Sequence, residues 1–275
     1  RVSRRLRLDA ELVRRGLAKS RDHAATLIGD GFVSVAGSVA TKPATGVTTD
    51  QAIVVRTSSE PTYASRGAHK LLGALDVFEP LGLSVGGRRV LDAGASTGGF
   101  TDVLLRKGAR EVAAVDVGYG QLVWALQSDE RVHVFDRTNV RNIEADDIGG
   151  PVSLVVSDLS FISLTVVMPA LTRVCEDGGD IVLMIKPQFE VGKSNLGKNG
   201  VVRDPLLHAD AVHRVGLSAF ELGWGTRALA PSPLPGPAGN VEYFCWLRTD
   251  ADAPSLDAAH DVVAAGPLDI ARNPS

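Results

Sequence analysis

The chain predicts an α/β fold. It reads as a Rossmann-like, mostly parallel seven-stranded sheet whose last strand runs antiparallel, preceded by a small α+β module. Three observations carry this. Residues Arg89-Val-Leu-Asp-Ala-Gly-Ala-Ser-Thr-Gly-Gly-Phe-Thr101 read as a short strand, a turn of small residues and a helix start. Strand-length apolar runs alternate with helix-compatible segments from residue 89 to residue 247, the pattern of a doubly wound sheet covered on both faces. The N-terminal stretch has a different make-up: residues 1–25 hold eight Lys and Arg against three acids, although the whole chain carries a net charge of −3.

Taken in order, Leu8, Leu12, Val13 and Leu17 have helical spacing and Gly16 ends that helix. Ser20 caps a second helix over 21–28, which Gly29 and Gly31 stop. Residues 32–39 alternate as a hairpin around Gly37, and Ile53-Val-Val55 closes the module as a strand. The domain division is therefore 1–58 for this module, a polar linker over 59–64, a large domain over 65–250 and a tail over 251–275. In the large domain Ser65 precedes a helix with an apolar stripe (Leu71, Leu75, Phe78) that carries Lys70. Strands follow at 90–91, 111–116, 132–135, 152–156, 180–185, 227–230 and 240–247, with a helix over 164–175. The tail is rich in Asp, Ala and Pro, and is expected to fray.

Composition removes several classes. No apolar run reaches the roughly 18 residues of a membrane span, and no strongly amphipathic cationic helix suggests a membrane-lytic protein. Cys175 and Cys245 lie far apart without a C-x-x-C pattern, and the six histidines lack H-x-x-x-H spacing, so neither a disulfide framework nor a metal site is expected. These features predict a cytoplasmic chain without membrane or metal partners. It begins with arginine, which suggests that residues precede it.

The glycine turn points to a ligand. Gly94, Gly98 and Gly99 let a small molecule approach the backbone, and the N–H groups at the helix start favour a polar or anionic group. A dinucleotide turn would read G-x-G-x-x-G; here Asp92 precedes the first glycine and Ala95 replaces the middle one, which disfavours a nicotinamide dehydrogenase. An acid beside free N–H groups suits the amino-acid end of S-adenosylmethionine. Asp116, closing the next strand, stands where such folds grip ribose hydroxyls, and Asp136 and Asn139 stand where they contact adenine. The predicted cofactor site is Asp92, Gly94, Ala95, Ser96, Thr97, Gly98, Gly99, Phe100, Asp116, Asp136, Asn139 and Asp158.

Four charged residues converge on the same rim by this reading. Asp158 and Lys186 close the fourth and fifth strands, Glu242 opens the antiparallel last strand, and Lys70 arrives from the preceding helix. A ribose 2′-hydroxyl is a weak nucleophile that must lose its proton near attack. Burial and a neighbouring cation favour a neutral, proton-accepting amine, and carboxylates orient it. Lys186 is then the general base, supported by Lys70, Asp158 and Glu242. RNA contacts are expected from Arg4, Arg5, Arg7, Arg14, Arg15, Lys19 and Arg21, and from Arg66, Phe161, Lys193 and Lys198 near the rim. Phe161 either stacks on an extruded base or packs in the core.

The N-terminal pattern R-L-D-x-x-L-V-x-R-G-L-A-x-S-R resembles the S4 RNA-binding domain. The motifs S-R-G-x-x-K-L, L-D-A-G-A-S-T-G-G-F-T, D-V-G-Y-G-Q-L, D-L-S-F-I-S-L, K-P-Q-F-E-V-G and G-N-x-E-Y-F resemble the actinobacterial type of the TlyA family, across residues 4–248. The resemblance implies a class I S-adenosylmethionine methyltransferase of FtsJ type, with its Lys-Asp-Lys-Glu tetrad on Lys70, Asp158, Lys186 and Glu242. It implies 2′-O-methylation of cytidines in helix 44 of 16S and helix 69 of 23S rRNA, within 30S and 50S subunits. It also implies a link to capreomycin and viomycin susceptibility, and members have been labelled haemolysins. Arg4 and Arg5 fit the arm of the two-subunit type. There are two departures: Pro61-Thr-Tyr-Ala64 stands where some relatives have Arg-x-Trp-Val, and Ala238 where relatives can have serine. An S4 protein with an inactive second domain is the remaining alternative, against which the four-residue set speaks.

Overall fold

The computed structural model describes residues 5–29, 31–55, 63–236 and 238–266, with the backbone alone at Lys198. Two compact units result, Arg1–Thr62 and Tyr63–Ser275.

The first unit pairs β1 (Leu6–Arg7), which leads into α1 (Leu8–Arg14), with β4 (Gly46–Val47). After α1 come α2 (Arg21–Gly29), β2 (Val33–Val35) and β3 (Ser38–Val39), and β5 (Ile53–Val55) closes the unit. The predicted hairpin forms: Ala36 and Gly37 take positive φ (49° and 85°), and β2 pairs with both β3 and β5. Ser20 caps α2 by accepting the amide of His23 at 3.1 Å. Leu8, Leu12, Ala24, Ile28, Val33 and Val47 form the core. The two-residue β1–β4 ladder is too short to leave a period in the sequence.

The second unit contains α3 (Gly67–Phe78), β6 (Arg89–Ala93), α4 (Gly99–Arg106), β7 (Glu111–Val115), α5 (Trp124–Gln127), β8 (Val132–Phe135), β9 (Val152–Ser157), α6 (Leu164–Val174), β10 (Cys175–Ile185), α7 (Pro187–Glu190), α8 (Pro205–Phe220), β11 (Gly225–Pro231), β12 (Tyr243–Arg248) and α9 (Leu256–Ala265). The sheet order is β11-β12-β10-β9-β6-β7-β8. The β10–β9, β9–β6, β6–β7 and β7–β8 pairs are parallel, whereas β12 runs antiparallel to both neighbours. The predicted seven strands and the antiparallel last strand are thus present.

Side chains alternate between two cores. Leu91, Val155, Ile181, Leu183, Ile185, Tyr243 and Cys245 pack on the face covered by α6 and α8. Val90, Leu154, Val156, Val182, Met184, Phe244 and Trp246 pack on the face covered by α3 and α4. Burial on both sides explains why the strands read as unbroken apolar runs.

The expectation that the chain frays after residue 250 is corrected for residues 251–266. Ser255 caps α9 by accepting the amide of Ala258 at 3.2 Å, and Ala259, Val262 and Val263 are buried in the same core as α8. Its high alanine content suits a helix that packs closely, which composition alone did not separate from a polar tail. The 16-residue α8 is an element the sequence reading passed over. Among the described residues, no helix is long and apolar enough to cross a membrane.

Candidate active site

The carboxyl ends of the parallel strands and the start of β12 meet at one rim, because β12 is antiparallel and pairs Tyr243 with Ile185. Alternation sets the side. Residues 158, 186 and 242 continue the even-numbered series 154–156, 182–184 and 244–246, so they fall on the face that α3 covers. Lys70 sits on α3 beside Leu71 and Ala74.

Two ion pairs result. Lys70 Nζ is 2.5 Å from Glu242 Oε2, and Lys186 Nζ is 2.6 Å from Asp158 Oδ1. Lys186 also donates to Ser160 Oγ at 2.8 Å, a partner the sequence reading did not name. Both lysines and Glu242 are buried, at 9, 8 and 1 % exposure. Burial pushes the Glu242 carboxyl above its usual range against the opposing pull of Lys70, and Glu242 Oε1 has no hydrogen-bond partner among the described residues. A buried acceptor left open costs free energy, so it is the kind of group a ligand satisfies.

A cavity of about 680 Å³ opens beside these pairs. Ser65, Arg66, Gly67 and Lys70 line one side, Gly94 to Thr97 with Gly99 and Phe100 another, and Asp158, Leu234 to Gly236 and Gly239 the rest. Gly94 has φ 91°, and a Cβ there would meet the Asp158 carbonyl oxygen at 2.5 Å. A Cβ on Gly236 would meet Glu242 Oε1 at the same distance. Bare backbone is therefore required at Gly94, and a side chain at Gly236 would displace the Glu242 carboxylate.

Asp92 lies fully buried at the end of β6, outside the cavity lining. It accepts the Thr101 hydroxyl at 2.7 Å, and its other oxygen has no hydrogen-bond partner among the described residues. Burial, reinforced by Asp158 and Asp116, pushes its carboxyl up to about 7. Asp116, Asp136 and Asn139 also lie outside that lining. Asp116 ties the turn together, accepting the amides of Ser96 at 2.8 Å and Gly118 at 2.7 Å. Asp136 accepts the Gly120 amide, and Asn139 caps a short turn through Arg141.

The predicted RNA contacts divide. Arg7 and Arg21 both reach Asp9, at 2.9 and 3.0 Å, and Arg14 reaches Glu11 at 2.6 Å, with all three arginines largely exposed. Arg15 is different: it holds Glu11 and donates to the carbonyls of Thr48, Thr49 and Gln51. It clamps a loop rather than facing outward. Arg5 and Lys19 are exposed, whereas Arg4 lies outside the described residues. In the second unit Arg66 and Lys193 are exposed, and the Lys198 side chain lies outside the description. Phe161 is 91 % exposed with its ring 5.2 Å from that of Phe189, which excludes a core position. Ser65, Gly67, Leu234, Pro235, Gly236 and Gly239 line the cavity although the sequence reading gave them no such role; the Pro-Gly density at 231–239 was the available signal.

The fold and this rim define a class. Residues 63–249 match the FtsJ-like methyltransferase family and residues 6–53 the S4 domain. The chain is 56 % identical over 97 % of its length, and over the full length of the relative, to the 16S/23S rRNA (cytidine-2′-O)-methyltransferase TlyA of Mycobacterium tuberculosis. It is 36 % identical to Hemolysin A of Brachyspira hyodysenteriae, over 87 % of this chain and 98 % of that one. A solved structure from Streptococcus thermophilus, provisionally named a hemolysin, superposes with a TM-score of 0.74 at 37 % identity and 96 % coverage of both chains. The chain belongs to the TlyA family of S4-containing, FtsJ-like methyltransferases.

Proposed function

We propose that this chain is a cytoplasmic ribosomal RNA methyltransferase that uses S-adenosylmethionine to methylate the 2′-hydroxyl of cytidines. The carrying observation is the convergence of two lysine–carboxylate pairs, with both lysines and Glu242 buried and Asp158 half-buried, on the rim of a methyltransferase sheet, next to a glycine-walled cavity. The rRNA substrate is supported by the name of the mycobacterial relative and by the N-terminal S4 domain. Both 16S and 23S rRNA are proposed as targets, at helix 44 and helix 69, with loss of methylation reducing capreomycin and viomycin susceptibility.

The residues present fit the cofactor. The cavity volume lies within the range of about 300–1,000 Å³ that such ligands occupy. The backbone of Gly94, Ala95 and Gly99 lines the cavity, and Lys70 and Asp158 bring charged groups to its wall. Ser96, Thr97, Gly98 and Phe100 would complete the cradle, with Asp116, Asp136 and Asn139 toward the nucleoside end. When bound, the cofactor supplies a methyl group activated on a sulfonium.

The chain's own residues do the rest. Lys186, acting from its neutral amine form, takes the proton of the 2′-hydroxyl, with Asp158 and Ser160 fixing the direction of the amine. Lys70 and Glu242 hold each other beside that pair and orient the hydroxyl. Positioning of this kind supplies a large share of the rate in a direct displacement. Arg66, Phe161, Lys193 and Lys198 would guide the nucleotide to the rim, while Arg4, Arg5, Arg7, Arg14, Lys19 and Arg21 hold phosphates, giving affinity rather than sequence choice.

The test is methylation of separate 30S and 50S particles with labelled cofactor, followed by mapping of the modified ribose. Label on cytidine 2′-oxygens in both particles is the expected result. Label on a base, or on neither particle, overturns the proposal.

A further inference from the structure

The segment that carries Glu242 is tied to the end of the basic loop over 192–203 in an unusual way. Val202 is buried at 2 % exposure, so both of its backbone polar groups need partners. Neither is served by a strand or helix ladder. Its amide donates to Asn240 Oδ1 at 3.0 Å, and its carbonyl lies 2.9 Å from His208 Nε2. Asn240 Nδ2 also donates to the Gly200 carbonyl at 3.1 Å. His208 Nδ1 in turn lies 2.9 Å from the Tyr243 hydroxyl.

The chemistry settles the direction of this chain. A carbonyl only accepts, so Nε2 carries the hydrogen and Nδ1 accepts from the tyrosine hydroxyl. His208 and Tyr243 are both fully buried. Burial pushes the His208 imidazole below its usual range and the Tyr243 phenol above it, so both groups stay neutral in this arrangement. The residues on either side of Glu242 are thus keyed, through two side chains, to one buried residue of the loop. Asn240 has a second link, since its carbonyl accepts the amide of Gly236, which lines the cavity and faces Glu242 Oε1.

We propose that His208 and Asn240 are positioning residues for methyl transfer, locking the Glu242 backbone to Gly200–Val202 so that the basic loop and the Lys70–Glu242 pair hold one geometry. This rests on the methyltransferase function proposed above. Neither residue touches the reacting atoms. Their effect runs through the aim of Glu242, whose pairing with Lys70 tolerates little displacement.

The experiment uses the full chain with 30S and 50S particles and labelled S-adenosylmethionine. His208→Ala is expected to lower kcat about tenfold or more, with KM for the particles and the cofactor dissociation constant within about twofold of the parent. His208→Gln, whose amide can donate to the Val202 carbonyl, recovers most of that loss. Tyr243→Phe keeps the ring and removes only the hydroxyl; it lowers kcat severalfold and decides the matter if His208→Ala does not fold. Hydrogen exchange supplies a readout free of activity: in His208→Ala, peptides over 197–203 and 240–244 lose protection together while 89–93 keeps it. Unchanged kcat in folded His208→Ala, no recovery in His208→Gln, or independent exchange of the two peptides overturns the proposal. If the parent chain methylates neither particle, the proposed function fails, and the exchange result still decides the clamp.

Discussion

In the N-terminal unit Asp9 and Glu11 are buried while Arg7, Arg14 and Arg21 reach outward; at the rim of the sheet both lysines are buried, Glu242 with them and Asp158 in part. Glu11 is 1 % exposed yet accepts from two arginines, which hold its carboxyl at about 2. Glu242 is equally buried and has one lysine, and there burial wins, raising its carboxyl. The difference lies in how many charged donors each acid meets and in whether those donors remain hydrated. The first arrangement aims exposed guanidinium groups at solvent, where phosphates can be met. The second leaves a buried, incompletely satisfied carboxylate near a cavity, which suits catalysis rather than display.

This contrast can be broken most severely at Lys186. Lys186→Ala is expected to reduce methyl transfer by roughly a thousandfold while cofactor affinity, read by calorimetry, is retained. Turnover near the parent rate would remove the rim from the mechanism. Next in size is Gly94→Ala, which places a Cβ against the Asp158 carbonyl at a positive φ. About 1–3 kcal/mol of stability should be lost in thermal melts, together with most cofactor binding.

Asp92 sharpens the comparison through pH. Its carboxyl sits at about 7 in the folded chain, so the folded state retains a proton that the unfolded state releases above about pH 4. Stability from this group is therefore full at low pH, falls as pH climbs from about 4 to about 7, and is flat beyond. Urea titrations across that window should show the slope, and Asp92→Asn should remove it. Glu11 has the opposite sign. Its carboxyl is lowered to about 2, so its contribution is present above about pH 4.5 and is lost as pH falls toward 2.

The smallest effects belong to single arginines, and they separate presentation from clamping. Arg7→Ala or Arg14→Ala should weaken RNA binding severalfold and reduce the salt slope by about 1 each, at a smaller stability cost than Arg15→Ala because Asp9 and Glu11 each keep a second arginine. Arg15→Ala should do the reverse, costing about 1–3 kcal/mol of stability as three loop carbonyls lose their donor, with the salt slope nearly intact. Equal behaviour of Arg14 and Arg15 would erase the distinction.

Much of this was legible in the chain. The strand–turn–helix at 89–106, the apolar runs at 152–156 and 180–185 and the hairpin at Gly37 are local patterns, and local patterns survive in a sequence. The rim was legible because strand ends in an open α/β sheet share an edge, which made Asp158, Lys186 and Glu242 neighbours on paper. What escaped was set by distant contacts. Ser160 meets Lys186 across 26 positions, and Asn240 meets Val202 across 38. The helix over 256–265 looked like a polar tail because its buried face is only Ala259, Val262 and Val263.

The sequence by itself determined the sheet, its glycine turn and the kinds of charge at its edge, because periodicity, chain stiffness and residue chemistry act over a few neighbours. The tertiary structure alone decided which lysine pairs with which acid, which arginine faces solvent and which oxygen is left open. Those outcomes depend on burial and on ångström-scale distances between residues far apart in the chain, and neither quantity exists until the chain has packed.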